Sequence, residues 1–414
     1  MTRSEVVVVG AGIVGVCCAA YLQRDGHAVT LLDRDAPGEG TSKGNAGALS
    51  PGSCVPLAMP GVFRKVPGWL LDPDGPLTIR ARYLPRALPW LIRFSLAASP
   101  RRVERIADAL RALHRPVFEC YEPLVAGAGC AELIRRSGTL VVFRSESAFR
   151  ESAREWRMRR ERGAEVRDLD ARAIHELEPA LGPQYTHGVL LPEHGYTTDP
   201  HRLVKALAAR FAAEGGRVAR AQVRGLQRNE DATLTVLCEG RGLRAQRVVI
   251  AAGAWSGALT RSLGISVPLE SQRGYQVTLP EPGIQPRHPV SAAEGRFYAT
   301  PLEGGLRVAG TVEFAGLEAA PEYRRARRLL EQVRGLYPQV RTEAFTEWMG
   351  HRPCLPDSLP VIGSPAGLPG VLLAFGHGHN GMTSGPVTGR LIADLVAGRA
   401  PFIDPAPYSP ARFQ

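Results

Sequence analysis

Residues 6–33 constrain this chain more than any other stretch. Val6 to Val9 are four β-branched residues in a row, the pattern of a strand buried on both faces. Gly10-Ala-Gly12-Ile13-Val14-Gly15 follows, then an apolar helical segment, then a second apolar run ending at Asp33. In such a strand–turn–helix unit Gly10 permits the tight turn and Gly12 lets the backbone approach a pyrophosphate. Gly15 lets the helix pack closely on its strand. The helix N-terminus offers unpaired N–H groups and a positive dipole end to phosphate oxygens. Asp33 stands 18 residues after Gly15, where a carboxylate can accept hydrogen bonds from a ribose. Strand, glycines, helix, second strand and acid in register point to dinucleotide binding.

The chain has 414 residues, enough for two sizeable domains, and 44% hydrophobic content suits a globular enzyme. It carries 51 basic and 40 acidic residues, a formal charge of +11. Only Lys43, Lys65 and Lys205 are lysines, and the arginines are scattered rather than clustered, so no nucleic-acid partner is expected. Seven cysteines, an odd number without a C-x-x-C, argue against a disulfide framework and against zinc or iron–sulfur sites. No His-Glu-x-x-His or carboxylate cluster stands out, and no metal is expected. A reducing, cytoplasmic setting fits. The N-terminal apolar run is broken by three glycines and reads as strand and helix rather than an export signal.

Residues 40–90 are dense in Gly and Pro and read as mostly irregular. Helices are expected over 101–127, 145–163, 321–335 and 387–397, and another between Asp199 as N-cap and Gly215 as stop. Strands are expected over 140–143, 236–238, 275–279, 297–300 and 306–311. The apolar run Arg247 to Ile250, leading into Ala252-Gly253-Ala254-Trp255, looks like another strand of the nucleotide-binding sheet. The chain therefore leaves that sheet, builds another and returns, twice. The interleaving points to FAD rather than to a contiguous NAD-type domain. The expected fold is α/β plus α+β: a doubly wound Rossmann-like FAD-binding domain (1–85, 196–265 and 346–414) and a substrate domain on a mainly antiparallel sheet (86–195 and 266–345).

Three further motifs, Gly350-His-Arg352-Pro-Cys-Leu-Pro-Asp357, Gly376-His-Gly-His-Asn-Gly381-Met-Thr-Ser-Gly385 and Thr41-Ser42-Lys-Gly-Asn45-Ala46-Gly47, carry a resemblance. With the glycine turn, the chain resembles the D-amino-acid oxidase/glycine oxidase superfamily of flavoproteins, and within it bacterial D-amino-acid dehydrogenases, including D-hydroxyproline dehydrogenases. The resemblance spans essentially the whole chain. It implies that Gly10, Gly12, Ile13, Val14 and Gly15 hold the pyrophosphate, and that Asp33 and Arg34 hold the adenosine ribose. Thr41 and Ser42 would meet phosphate oxygens, and Asn45, Ala46 and Gly47 would run along the isoalloxazine. Val223, Ala252, Gly253 and Trp255 would flank the adenine. Gly378, Asn380, Gly381, Met382 and Thr383, at a helix N-terminus, would face the flavin O2 and N1 edge, where a dipole end stabilises anionic reduced flavin.

The resemblance also places the substrate. Arg352 matches an arginine that binds the amino-acid carboxylate, a task its planar fork performs bidentately. Tyr298 matches a tyrosine bonded to the same carboxylate. His379 stands where glycine oxidases carry a second arginine, and Tyr275 is expected to line the pocket. The implied reaction is oxidative deamination of a D-amino acid or a cyclic imino acid of the D-proline or D-hydroxyproline type. Hydride passes from Cα to flavin N5, and electrons pass to a quinone or another carrier. The alternatives are glycine, sarcosine or a 2-hydroxy acid as substrate and, more remotely, a basic flavoprotein that mainly docks on membrane or nucleic acid. Two aromatic segments, Trp69-Leu-Leu and Trp90-Leu-Ile-Arg-Phe, read as packing or a lid over the site, with peripheral contact to a membrane surface as the alternative. The oligomeric state is not legible in the sequence.

Overall fold

The computed structural model describes residues 5–61 and 77–413. The valine run forms strand Glu5–Val9 at the centre of a six-stranded sheet ordered 217–220, 28–33, 5–9, 247–250, 371–375, 361–363. The first five strands run parallel, and Val361–Gly363 closes the sheet antiparallel. Parallel strands demand cover on both faces. Helices Ile13–Arg24, Pro200–Ala213 and Gly381–Ala397 cover one face. A three-stranded antiparallel meander (Val223–Arg228, Leu234–Cys238, Arg241–Ala245) covers the other.

The second sheet has nine strands, ordered 346–354, 270–279, 305–314, 297–302, 290–292, 139–143, 187–191 and 167–170, with Leu77–Ile79 paired parallel to the 305–314 strand. Apart from that pairing and the parallel contact of Val290–Ala292 with Thr139–Phe143, it is antiparallel. Helix Arg324–Leu336 packs its apolar face against one side of it. The architecture is therefore the Rossmann-like sheet plus mainly antiparallel sheet expected from the motifs. Two segments depart from the expected boundaries. Thr346–Cys354 and Leu77–Ile79 run in the second sheet, not with the nucleotide-binding segments. The 346–354 strand, which carries Arg352, pairs with residues 270–278 and so belongs to the second sheet.

Local chemistry explains the remaining differences. The expected helix over 101–127 is two helices, Pro100–His114 and Val117–Gly127, divided at Pro116, which has no N–H to continue the ladder. That over 145–163 divides at Ser152, whose hydroxyl donates to the Phe149 carbonyl (2.6 Å) and accepts from Trp156 Nε1 (2.7 Å). Asp199 caps its helix as expected, its Oδ1 accepting from the His201 and Arg202 amides. Helix Leu84–Ala97 was hidden by Pro85 and Pro89; Pro85 sits in the first turn, where a missing N–H is harmless. The Trp69 segment lies outside the described residues.

The first helix and the last long helix cross so closely that a Cβ on Gly389 would fall 2.6 Å from the Cys17 carbonyl oxygen. A Gly389→Ala change gains about 1 kcal/mol in helix propensity, but overpacking against backbone costs about 1–3 kcal/mol. The clash wins because backbone cannot rotate aside. Thermal unfolding of Gly389→Ala is expected to show a Tm lowered by several degrees; an unchanged or raised Tm would contradict the tight crossing.

Candidate active site

The strand Glu5–Val9 delivers the chain into a turn crowded at two of its three glycines. Gly10 has φ +108°, and a Cβ there would lie 2.3 Å from the Ala251 carbonyl oxygen. A Cβ on Gly15 would lie 1.8 Å from the Gly10 oxygen, so the helix could not seat on its strand. Gly12 differs: only the Ser42 hydroxyl approaches its Cβ position, at 3.4 Å. The open face of Gly12 and the start of helix Ile13–Arg24 thus form an unfilled cradle of amide donors, one of which, Ile13 N–H, donates to Ser42 Oγ (3.0 Å). Asp33 is held facing the same turn, its Oδ2 accepting from the Ala11 amide (2.6 Å) and its Oδ1 from the Asp35 amide (3.0 Å). One lone pair on each oxygen remains for a ligand.

From this cradle a cavity of about 360 Å³ runs through the protein. Its walls include Gly10, Gly12, Ile13, Val14, Asp33 and Arg34 at one end, Thr41, Ser42 and Asn45 along one side, and Val223, Ala252, Gly253 and Trp255 along another. Gly378, Gly381 and Met382 lie toward the far end, where helix Gly381–Ala397 begins. That N-terminus has no side-chain cap, so its amide donors are free for an anionic group. The Arg34 guanidinium stacks over the Trp255 ring at 4.0 Å, and the His351 ring meets the same indole edge-on at 5.1 Å. Two polar ends, free amide donors at both and an apolar middle fit an extended dinucleotide.

Five residues expected around the cofactor do not line this cavity. Gly15 is spent on helix–strand contact. Gly47 (φ +79°) accommodates the Thr197 carbonyl, which would lie 2.7 Å from a Cβ, and its amide donates to Asn45 Oδ1 (2.8 Å). Ala46 lies between Asn45 and Gly47, outside the lining. Thr383 Oγ1 accepts from the Ser50 amide and donates to the Ala48 oxygen, tying the last helix to the loop that follows Asn45. Asn380 contributes its carbonyl to the first helical turn, accepting from Ser384. The lining also includes residues not foreseen: Asp35, Gln222, Arg224, Pro353 and His377. Each neighbours an expected residue, so widening the motifs by one position would have found them. His377 is a buried structural histidine, its Nε2 paired with Thr388 Oγ1 (2.9 Å).

The second sheet presents one face to this region. Cross-strand partners share a face, and the pairs Gln272–Arg352, Gly274–Gly350, Gln276–Ala309 and Ala309–Tyr298 put Arg352 and Tyr298 on the same side. Gly274 makes room for the arginine: a Cβ there would fall 2.1 Å from the Arg352 guanidinium carbon. Arg352 Nη1 donates to the Thr311 carbonyl (2.7 Å) and Nη2 reaches the Gly310 carbonyl (3.4 Å). Those carbonyls turn inward at a register shift where Thr311 adopts φ +60°, a strained conformation for a β-branched residue. No carboxylate among the described residues pairs with Arg352, and burial lowers its pKa. Tyr298 donates to or accepts from Thr139 Oγ1 at 3.0 Å, and burial raises its pKa, so the phenol stays protonated. His379 keeps an accessible ring although protein surrounds it. Burial and then the Arg352 guanidinium push its pKa down to about 3, so it is neutral at pH 7.

Tyr275, expected in the pocket, faces the other way. Its hydroxyl donates to Glu313 Oε2 (2.7 Å) and accepts from Arg273 Nη2 (3.2 Å) and the Glu322 amide (2.9 Å). The correction follows from the period of two: Gly274 and Arg352 share a face, so Tyr275 must point to the opposite one. There Glu313, fully buried, also forms ion pairs with Arg80 Nε (2.8 Å) and Arg273 Nε (3.2 Å). A residue not foreseen is Arg307, on the site face. It donates to the Lys43 and Asn45 carbonyls (3.1 and 2.7 Å), joining the loop around Asn45 to the second sheet, and burial lowers its pKa to about 10.

Fold and site together define a dinucleotide-binding oxidoreductase, with Arg352 next to the cavity-lining Pro353. Residues 5–395 match the family of FAD-dependent oxidoreductases known as DAO, and the chain belongs to that family. A curated D-amino-acid oxidase of Bradyrhizobium diazoefficiens is 41% identical over 416 residues, covering 99% of each chain. A D-amino acid dehydrogenase 2 of Ralstonia nicotianae is 35% identical, covering 99% of this chain and 100% of its own. A crystal structure of glycine oxidase from Geobacillus kaustophilus shares the fold, with TM-score 0.74, 23% identity and coverage of 99% and 98%. FAD is the family's cofactor, and the amide cradle, Asp33 and the long cavity suit it.

Two predictions follow from the buried groups. Tyr275→Phe removes a buried hydrogen bond and is expected to lower stability by about 1–3 kcal/mol while leaving KM unchanged; a large KM effect would return Tyr275 to the pocket. His114, His194, His351 and His377 are all depressed to about 3 or 4, chiefly by burial. Their unfolded forms take up protons near pH 6.5 and the folded forms do not, so stability must fall as pH drops from about 6.5 toward 4. Tm measured across that range is expected to decline steadily, and a flat profile would contradict the assignment.

Proposed function

We propose that this protein oxidises the Cα–N bond of a D-amino acid or a cyclic imino acid of the D-proline or D-hydroxyproline type. The observation that carries the reading is Arg352, a guanidinium without a carboxylate partner among the described residues, on the same sheet face as a protonated Tyr298 and close to a neutral His379. The fork would take the substrate carboxylate bidentately, with its position set by the Thr311 and Gly310 carbonyls. Tyr298 would donate a third hydrogen bond, and a neutral His379 adds no competing charge. Arg352 and the desolvated wall disfavour the substrate's ammonium form, so its proton leaves to water and the amine lone pair becomes available. Bound FAD supplies the acceptor for the hydride that leaves Cα as the C=N bond forms. No base on Cα is needed, and orientation of the substrate provides much of the rate. The imine product then hydrolyses to a 2-oxo acid and ammonia, or persists when cyclic.

The names of the relatives support the D-amino-acid class, and they divide over the electron acceptor. We take a quinone or a carrier protein as acceptor; peroxide formation on aerobic turnover would instead make it oxygen. Seven free cysteines support a cytoplasmic setting. Anaerobic mixing of the FAD-loaded protein with single amino acids is the direct test. Bleaching of the flavin by D-amino acids or D-proline is expected, and bleaching only by glycine, sarcosine or a 2-hydroxy acid would move the substrate class. Arg352→Ala is expected to retain FAD while losing about 2–5 kcal/mol of substrate recognition, a fall in kcat/KM of at least roughly 30-fold. Unchanged kinetics in that variant would remove Arg352 from the site.

A further inference from the structure

Two side chains outside the motifs hold segment 41–45 over the site face of the second sheet. Thr41, Ser42 and Asn45 of that segment line the cofactor cavity. The first support is Trp348, on the same face as Gly350 and Arg352, while its neighbour Met349 packs on the helix-covered side. A Cβ on Gly44 would overlap the indole at Cδ2, Cε3 and Cζ3, and one on Gly350 would overlap it at Cη2 and Cζ3. The indole therefore packs on the segment's backbone and on its own strand at once, a fit that a side chain at either glycine would break. Gly350 pairs directly with Gly274, and the Arg352 guanidinium occupies the space above Gly274. The Cβ positions of directly paired residues lie about 5 Å apart, so the indole and the guanidinium adjoin over the two glycines.

The second support is Arg307. Its Nη1 donates to the Lys43 and Asn45 carbonyls, on either side of Gly44, and its Nε donates to Thr278 Oγ1 (3.2 Å). Thr278 in turn donates to Gln276 Oε1 (3.0 Å), and Gln276 is the cross-strand partner of Trp348. One polar chain thus joins the two supports. A third contact, from Thr41 Oγ1 to the His351 carbonyl (2.9 Å), ends on the residue before Arg352. The cavity wall and the guanidinium are therefore spaced through Gly44, Trp348 and Gly350 and not through independent elements. Reacting atoms must stand about 3–3.5 Å apart for transfer, and an error of about 1 Å can cost about 100-fold in rate. A substrate held at Arg352 depends on this spacing for its reach into the cavity.

We propose that Trp348 and Arg307 are positioning residues, which set the height of segment 41–45 over the Arg352 side chain and with it the approach of the substrate's Cα to the cofactor. The inference rests on the reading of Arg352 as the carboxylate site. The test is anaerobic rapid mixing of FAD-loaded Trp348→Leu and Arg307→Met with an amino acid that bleaches the wild type, together with the visible spectrum of the bound FAD before mixing. The limiting rate of bleaching is expected to fall at least about tenfold, while the half-saturating concentration stays within about threefold because Arg352 keeps its own partners. The FAD spectrum is expected to shift in both variants. Arg307→Lys retains a donor for the loop carbonyls and is expected to recover most of the lost rate. Trp348→Phe keeps a ring between the loop and the strand and is expected to lose about threefold; it carries the test if Trp348→Leu does not fold. An unchanged limiting rate in the folded variants would overturn the proposal, whatever their Tm. So would a raised half-saturating concentration at an unchanged limiting rate, which would make Trp348 a wall of the substrate pocket instead. Failure of every amino acid to bleach the wild type would sink the functional reading alone, and an unchanged FAD spectrum in the variants would then overturn the positioning role by itself.

Discussion

The structure depends on the crossing of two helices that lie at opposite ends of the chain. Helix Ile13–Arg24 carries the glycine turn, and helix Gly381–Ala397 begins at the far end of the cavity. They touch backbone to side chain at Gly385, whose Cβ position lies 3.2 Å from Ile13, and more tightly at Gly389 against Cys17. Such an approach is open only to glycine, and it places two helix N-termini over one cavity. Neither N-cap residue, Gly12 nor Asn380, caps its helix with a side chain, and at the first terminus Ile13 N–H is taken by Ser42 Oγ. The cavity is therefore electropositive at two separated points before any side chain is counted, which suits a cofactor with a pyrophosphate and an anionic ring edge.

The second sheet separates charge by face. Behind it, Glu313 is surrounded by Arg80, Arg273 and the Tyr275 hydroxyl, so its buried charge is compensated. In front, Arg352 and Arg307 donate only to backbone carbonyls and a threonine hydroxyl. Backbone carbonyls orient a guanidinium without neutralising it, so positive potential survives on the front face. The Thr311 kink serves both sides, since it turns two carbonyls toward Arg352 while Glu313, two residues on, points backward into its ion pairs. A strained residue persists where its surroundings over-determine it, and here hydrogen bonds from both faces do so.

Legibility in the sequence followed from how local each signal is. The glycine turn, Asp33, the Asp199 cap and the valine strand are short-range patterns, and each formed where it was expected. Helix Leu84–Ala97 was obscured because two prolines within it outweighed its apolar content. The misplacement of Thr346–Cys354 has a different origin: its pairing partner, Glu270–Leu279, is some seventy residues away, and no local pattern records strand partnership. Tyr275 was lost to register. Its neighbour Gly274 fits the Arg352 side, and a one-residue difference reverses the face. Arg307 carried no motif, because its partners are main-chain carbonyls of a loop more than 250 residues earlier.

The arginine excess, which reads from composition as a diffuse bias, is unevenly deployed in the fold. Many arginines are absorbed locally, as in Arg111 with Glu193, Arg162 with Glu104 and Asp108, and Arg412 with Asp357. Among those without a carboxylate partner in the described residues are Arg352 and Arg307 on the front of the second sheet, and Arg86 and Arg93 on helix Leu84–Ala97. The two groups meet through one short segment. Trp90 bonds the carbonyl of Cys354, two residues after Arg352 and next to the cavity-lining Pro353. Movement of that helix would therefore be felt at the backbone that sets the Arg352 side chain.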